Sequence, residues 1–363
     1  MKKTFVAFGV FATLTGIAQA QSSVTLYGLL DTFVGQTTTE TSGVGAVGKL
    51  SQTVVNTNGE KTSRWGIRGA EDLGGGLKAV FGLEGGVLVD TGAQGTVSNQ
   101  GGGLFGRTAF VGLSGGFGEV TLGRVYPAYD DLRSLTNIVN DTNFSTTAAV
   151  WGTGVRDYQN RSSNAIRYAS PVVSGFSGVV SYGLGENKTT TASAEQVVAL
   201  HVKYVNGPLL VGYAYQSEKQ VTGGNYFGSG AGVGIPAAAV AFSSDRAYNL
   251  LAASYNFGVA RVVGQYNTAK GKTSALASAS DKEYQLGVSV PFGAAAVHAG
   301  ISSSKSDSLG NNNRGTGFGL LGTYALSKRS NLYIGYLATK VQSANAATEV
   351  RASTLGLGIK HIF

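Results

Sequence analysis

Charged side chains in this chain fall on alternate residues within short segments, and few folds can use that pattern. Arg64 shares a parity with Arg68, Lys78 with Glu84, Arg161 with Arg167, and His201 with Lys203. The residues between them are apolar: Trp65 and Ile67; Leu77, Ala79, Phe81 and Leu83; Ile166 and Tyr168; Val198, Leu200, Val202 and Tyr204. A period of two is the period of a strand. Where one strand face meets lipid, a Lys or Arg on that face costs about 2–4 kcal/mol at the bilayer midplane, so charges are confined to the other parity. Tyr284, Leu286, Val288 and Val290 alternate in the same way against Glu283, Gln285 and Ser289. Glu119 and Arg124 differ in parity, and Asp245 and Arg246 are adjacent. Glu119 and the Asp245–Arg246 pair are therefore expected at strand ends near water. The stretch from Ala247 alternates poorly.

Such segments, about ten residues long and about sixteen in number, recur along the chain between tight turns and longer polar loops. Residues 72–76, 115–118, 206–208, 292–293 and 327–330 are the turn signals. Polar stretches at 35–61 and 220–244 read as loops. After Ile17 no apolar run approaches the roughly 20 residues of a spanning helix. The 55 glycines are spread throughout, and each would cost a helix interior about 1 kcal/mol. The fold expected is all-β: a transmembrane antiparallel up-and-down β-barrel with short periplasmic turns and long external loops.

The first twenty residues stand apart. Lys2 and Lys3, an apolar core from Thr4 to Ile17, and Ala18-Gln19-Ala20 have the order of a secretory signal with its cleavage site. The organisation expected is a signal peptide at 1–20 and one barrel over 21–363. Loss of Lys2 and Lys3 takes the formal charge from +8 to +6. With no cysteine, an exported chain has neither disulfides nor thiolate metal sites.

Residues 125–160 show no sustained period and carry Asp130, Asp131, Asn137, Asn140, Asp141 and Asn143. Loops this long are usually functional or disordered; this one is expected to fold into the barrel mouth as a constriction. Arg64, Arg68, Arg107, Arg124, Arg161 and Arg167 would project from neighbouring strands as a basic wall. Guanidinium stays charged at accessible pH and suits carboxylate and phosphate. Asp130 and Asp131 across the pore would set up a transverse field. The arginines could instead be a solvated lumen face without selectivity, and the aspartate pair a turn or a cation site on the outer surface.

Several motifs are specific in combination: Ser22-Ser-Val-Thr-Leu-Tyr-Gly28, Ser63-Arg-Trp-Gly-Ile-Arg-Gly-Ala-Glu-Asp-Leu-Gly74, Gly106-Arg-Thr-Ala-Phe-Val-Gly-Leu113, Leu122-Gly-Arg124 and the terminal Phe363. Together the mature chain resembles the general porins of Gram-negative outer membranes, of the beta-proteobacterial type. The resemblance implies a homotrimer of sixteen-stranded barrels in outer-membrane lipid and lipopolysaccharide, passing small hydrophilic solutes. It implies a third external loop tucked inside, with Arg64, Arg107 and Arg161 on the eyelet wall and Arg68 and Arg124 nearby. Asp130 and Asp131 take the acidic-loop place, although the loop departs from the Pro-Glu-Phe-Gly pattern common in the family. The closing parity of Leu355, Leu357, Ile359, His361 and Phe363 resembles the signal read by the barrel-insertion machinery.

Other classes find less support. The stretch from Gly43 to Leu50 mimics a phosphate loop, but Leu50 stands where a hydroxyl should bind magnesium. His201, His298 and His361 are scattered, which disfavours a metal site and leaves a barrel hydrolase as a minor alternative. No basic run or aromatic-basic interleaving suits nucleic acid. An adhesin remains open through the polar outer loops. No cofactor and no metal are expected, and the chain is not expected to be an enzyme. The arginine excess favours anions: the reversal potential in a salt gradient should have the anion-selective sign, and Arg107→Ala should reduce it.

Overall fold

The computed structural model describes residues 23–43, 48–95, 103–139, 142–155, 157–221, 245–274, 277–308, 312–343 and 347–363. Residues 1–20, expected as a signal peptide, and Asn140, Asp141 and most of the 220–244 stretch lie outside the described residues. The first half contains β1 (Ser23–Ser42), β2 (Gly48–Thr57), β3 (Arg64–Gly74), β4 (Leu77–Val87), the two-residue β5 (Gln94–Gly95), β6 (Thr108–Gly115) and β7 (Gly118–Val125). Two helices follow, α1 (Ala128–Thr136) and α2 (Thr146–Val150), then β8 (Ser162–Ala169) and β9 (Phe176–Leu184). The second half is a meander of β10 (Gln196–Asn206), β11 (Leu209–Lys219), β12 (Asp245–Asn256), β13 (Arg261–Ser274) and β14 (Ala277–Phe292). It ends with β15 (Ala295–Ser308), β16 (Arg314–Ala325), β17 (Ser330–Ser343) and β18 (Thr348–Ile362).

Each strand pairs antiparallel with its neighbours, and β18 returns to β1 with Leu29 opposite Ile362. The sheet is closed. β2 and β3 pair with successive stretches of β1, so they are one membrane strand interrupted at residues 58–63. β5 only adds a lip to β4. Sixteen barrel strands remain. The terminal Phe363 exchanges both backbone hydrogen bonds with Gly28 at 3.0 Å, and its ring covers the face where Gly28 has no side chain.

The parity argument decides which side is oil. Val24, Leu26, Leu30 and Val34 of β1, Val111 and Leu113 of β6, and Tyr284 and Leu286 of β14 are all exposed on the outside. Their alternates Asp31, Phe33, Glu283 and Gln285 are buried inside. β12 explains its own weak pattern. Its inward residues Tyr248, Leu250 and Ala252 are apolar because α1 packs over them, while Leu251 and Tyr255 face outward. The 35–61 stretch departs from expectation. Instead of a loop, β1 runs on to Ser42 and β2 starts at Gly48, with residues 32–41 paired to 48–57. Its many threonines are strand formers whose hydroxyls bond across the ribbon, as Thr38 does with Ser51 at 2.9 Å.

The described residues of the 126–161 segment lie inside the barrel. α1 packs on β9–β13 and α2 on β15–β17. Its buried face recurs at Tyr129, Leu132, Arg133 and Thr136, a helical spacing masked in the sequence because half of that face is polar. The wall makes room with glycine. An added Cβ at Gly212 of β11 would stand 2.6 Å from Leu132, and at Gly287 of β14 or Gly300 of β15 it would stand 2.8 Å from Ile138. At Gly335 of β17 it would stand 2.6 Å from the Phe144 ring. Phe144 in turn meets Phe33 and Tyr333 at ring separations of 5.2 and 6.2 Å. Gly335→Val should lower stability by about 1–3 kcal/mol through overpacking. Calorimetry should record the lower Tm, and limited proteolysis should cut the displaced 126–161 segment.

Candidate functional site

The candidate site lies at strand ends close to the start and end of the inner segment. Arg107 immediately precedes β6, and Arg161 immediately precedes β8. Arg107 Nε donates to Glu84 Oε1 of β4 at 2.7 Å, and its Nη2 donates to the Tyr126 hydroxyl at 2.6 Å. The Arg161 guanidinium lies 3.5 Å over the Tyr126 ring. Tyr126 therefore clips the two arginines together where the inner segment begins. Both are almost enclosed, at 6% and 4% exposure. Burial lowers the pKa of Arg161, yet a guanidinium keeps its charge at any accessible pH.

Two further arginines remain in contact with water. Arg64 begins β3 with its Nε 3.5 Å from Glu84 and its side chain 31% exposed. Arg68 is exposed on the same face of β3, 5.0 Å over the Tyr27 ring, and makes no ion pair among the described residues. Lys61 adds a cation close to Arg64.

The acidic residues of the segment are engaged. Asp130 is buried, accepting from the Tyr158 hydroxyl and from Ser134 Oγ at 3.3 Å. Asp131 accepts from Arg167 Nη2 of β8 at 2.6 Å. The expectation that both face the arginines across open water is corrected to this extent: one aspartate is turned into the packing and the other is paired at the wall. Arg124 also lies elsewhere. It is opposite Ala109 in register with Leu122 opposite Val111, which puts it on the outward face. Strict alternation along β7 forces that placement, and its Nε and Nη1 donate to Gly106 O and Ser163 Oγ at 2.7 and 2.6 Å. Arg64, Arg68, Arg107 and Arg161 thus share one region of the wall, with Arg167 beside Asp131.

What fixes the inner segment escaped the sequence. Three inward carboxylates accept its backbone N–H groups: Glu283 from Gly152 at 2.5 Å, Asp281 from Val155 at 2.7 Å, and Glu218 from Gln159 at 2.6 Å. Asn143 Nδ2 donates to Thr57 O at 2.7 Å, and His201 Nδ1 donates to Ala128 O at 2.8 Å. Asp31 seats the 58–63 interruption by accepting from the N–H groups of Gly59, Glu60 and Lys61 at 2.9, 2.9 and 2.7 Å. At the centre Arg133 makes a double contact with Asp157, at 2.8 and 2.6 Å, between the rings of Trp151 and Tyr158. Inward parity of Asp31, Glu218 and Glu283 was the available signal, but parity does not say which backbone they meet. No cluster of His, Asp and Glu among the described residues could hold a metal ion.

A closed antiparallel barrel, oil-facing outside and narrowed inside by its own segment, has the architecture of a membrane channel. The Gram-negative porin family model matches residues 6–343, and the chain belongs to that family. It is 35% identical to outer membrane porin protein 32 of Delftia acidovorans, over all of this chain and 94% of the relative. It is 30% identical to an outer membrane porin protein of Bordetella pertussis over the full length of both. Among solved structures it is similar to an anion-selective porin from Comamonas acidovorans, with a TM-score of 0.75 and 29% identity, covering 94% of this chain and 100% of that one. The protein is an outer-membrane channel for passive diffusion of small hydrophilic solutes.

The buried pair gives a direct test of how the segment is held. Arg133→Ala would remove a buried, doubly contacting guanidinium from Asp157, a loss of about 3–5 kcal/mol. Denaturant unfolding should show the lower midpoint, and single-channel traces should become noisier as the segment moves.

Proposed function

We propose that the channel prefers anions and that the wall carrying Arg64, Arg68, Arg107 and Arg161 is the reason. The observation that carries this reading is an imbalance of accessible charge. Asp130 and Asp131 are engaged by Tyr158 and Arg167, whereas Arg68 is exposed and Arg64 is partly so. A permeating anion can meet these two guanidiniums directly. Arg107 and Arg161, enclosed beside them, act through their field, which low-dielectric walls screen weakly. The anion selectivity of the Comamonas acidovorans porin supports the same reading.

The working form is taken to be a homotrimer surrounded by outer-membrane lipid and lipopolysaccharide, after cleavage of residues 1–20. Residues 125–160 are the constriction of each pore. Conductance in planar bilayers should then open in steps of three.

Selectivity should follow the charges that touch water. Arg68→Gln should reduce the anion-to-cation permeability ratio by about twofold or more, and Glu84→Gln should raise it, because Arg64 and Arg107 lose their counter-charge. Reversal potentials in asymmetric salt measure both. Equal selectivity in wild type and Arg68→Gln would remove the wall from the explanation.

A further inference from the structure

Histidine is the side chain whose ordinary ionisation falls between about pH 5.5 and 8, and the chain has three. His201 is buried beneath α1, where its Nδ1 donates to Ala128 O. His361 has the parity of Leu357 and Ile359, which are exposed on the outside, and its Nδ1 lies 2.8 Å from Ser330 Oγ. His298 faces the lumen. Its strand fixes that direction: on β15 Val297 and Ile301 are exposed on the outside, whereas Gly300 and Ser302 lie against the inner segment. Ser302 Oγ is 2.6 Å from Thr146 Oγ1, and His298 has the parity of both inward residues.

His298 stands nearer than Gly300 to the tight turn at 292–294, about 7 Å along the strand from the point where Ile138 meets the wall. It is therefore on the periplasmic side of that contact. It is half-buried, flanked in register by Ser289 of β14 and Leu321 of β16, and makes no hydrogen bond among the described residues. Neither flanking residue titrates. The charges that act on it are Glu60 and Lys61 of the 58–63 interruption and Lys360 of β18. Glu60 is already engaged, by Lys360 and by Asn331 Nδ2 at 2.6 Å. A proton on His298 is therefore not cancelled locally, and the added charge acts on ions passing the wall.

We propose that His298 is a titratable selectivity residue, whose protonation puts one more positive charge on the lumen wall just periplasmic of the constriction. Preference for anions then rises as pH falls. The proposal rests on the inner segment being the constriction of the pore. The direction of the change follows from the charge of the proton, whatever the selectivity at neutral pH.

The test is the reversal potential of the purified full-length channel in planar bilayers, under a fixed salt gradient near about 0.1 M. It is read at about pH 8 and about pH 5.5, on either side of histidine ionisation and above that of ordinary carboxylates. In wild type the anion-to-cation permeability ratio is expected to rise about twofold between them. His298→Gln should remove most of that rise and keep the wild-type ratio of the higher pH at both. His298→Lys, whose charge is fixed, should show the acid ratio at both. A cation preference at the higher pH, with a rise that His298→Gln abolishes, would refute the anion preference of the arginine wall and support the role of His298. The proposal is overturned if wild type gives the same ratio at both pH values, or if His298→Gln titrates as wild type does. Should the Gln variant fail to assemble, a His298→Lys channel matching wild type at the higher pH overturns it equally.

Discussion

Inside a bilayer, backbone N–H and C=O groups find no water, and each one left unpaired costs several kcal/mol. A sheet meets that demand only by closing, and the rest of this molecule follows from closure. The pairing of β18 with β1, sealed by the exchange between Phe363 and Gly28, removes the last edge. Once closed, every strand has one face to oil and one to the lumen, so a charge in mid-strand has a single tolerable direction. The alternation of Arg64 and Arg68 with Trp65 and Ile67 expresses that constraint along one strand.

Closure also creates a difficulty. A sixteen-stranded barrel is too wide for side chains to fill, so selectivity requires an inserted segment with its own packing. The insert here packs against the wall, α1 on β9–β13 and α2 on β15–β17. Glycines at 212, 287, 300 and 335 bring the wall backbone close enough for Leu132, Ile138 and Phe144 to seat. Carboxylates from the wall then satisfy backbone groups that an isolated loop would show to water, as Glu283, Asp281 and Glu218 do for residues 152–159. The apolar contacts position the layer. The polar contacts remove alternatives, since shifting it would strand both Asp157 and Arg133.

This division explains what could be read in advance. Strand faces were legible wherever the lumen side meets water, because solvent enforces the contrast between neighbours. They were poorly legible in β12, where Tyr248 and Leu250 point inward under α1 and mimic an oil-facing set. The ribbon of β1 and β2 past residue 35 was hidden for the opposite reason: its strands are mostly polar and lack an alternating apolar face. Among candidate residues, parity correctly separated Arg64 and Arg68 from their neighbours. It also held the information that Arg124 shares a face with Leu122, which a family motif obscured. Which carboxylate meets which guanidinium depends on distant strands and was not legible at all. Glu84 is the clearest case, sitting among Tyr27, Arg64 and Arg107 from three other elements.

Charge in such a pore is therefore better counted after pairing than before. Arg133 with Asp157, Arg246 with Glu218, and Arg167 with Asp131 cancel locally and serve mainly to fix geometry. Their fields fall off as dipoles and contribute little to an ion on the pore axis. On the proposed wall the remainder is basic: Arg68 with no ion pair among the described residues, Arg64 sharing Glu84, and Lys61 near Arg64. An acidic residue in the constricting segment need not weaken anion preference if the fold turns it toward a hydroxyl, as Tyr158 does for Asp130. The same segment that narrows the pore thus seats its carboxylates in the packing, Asp130 within the field of Arg107 and Arg161 and Asp131 against Arg167, so the charge an ion meets depends on packing as much as on composition.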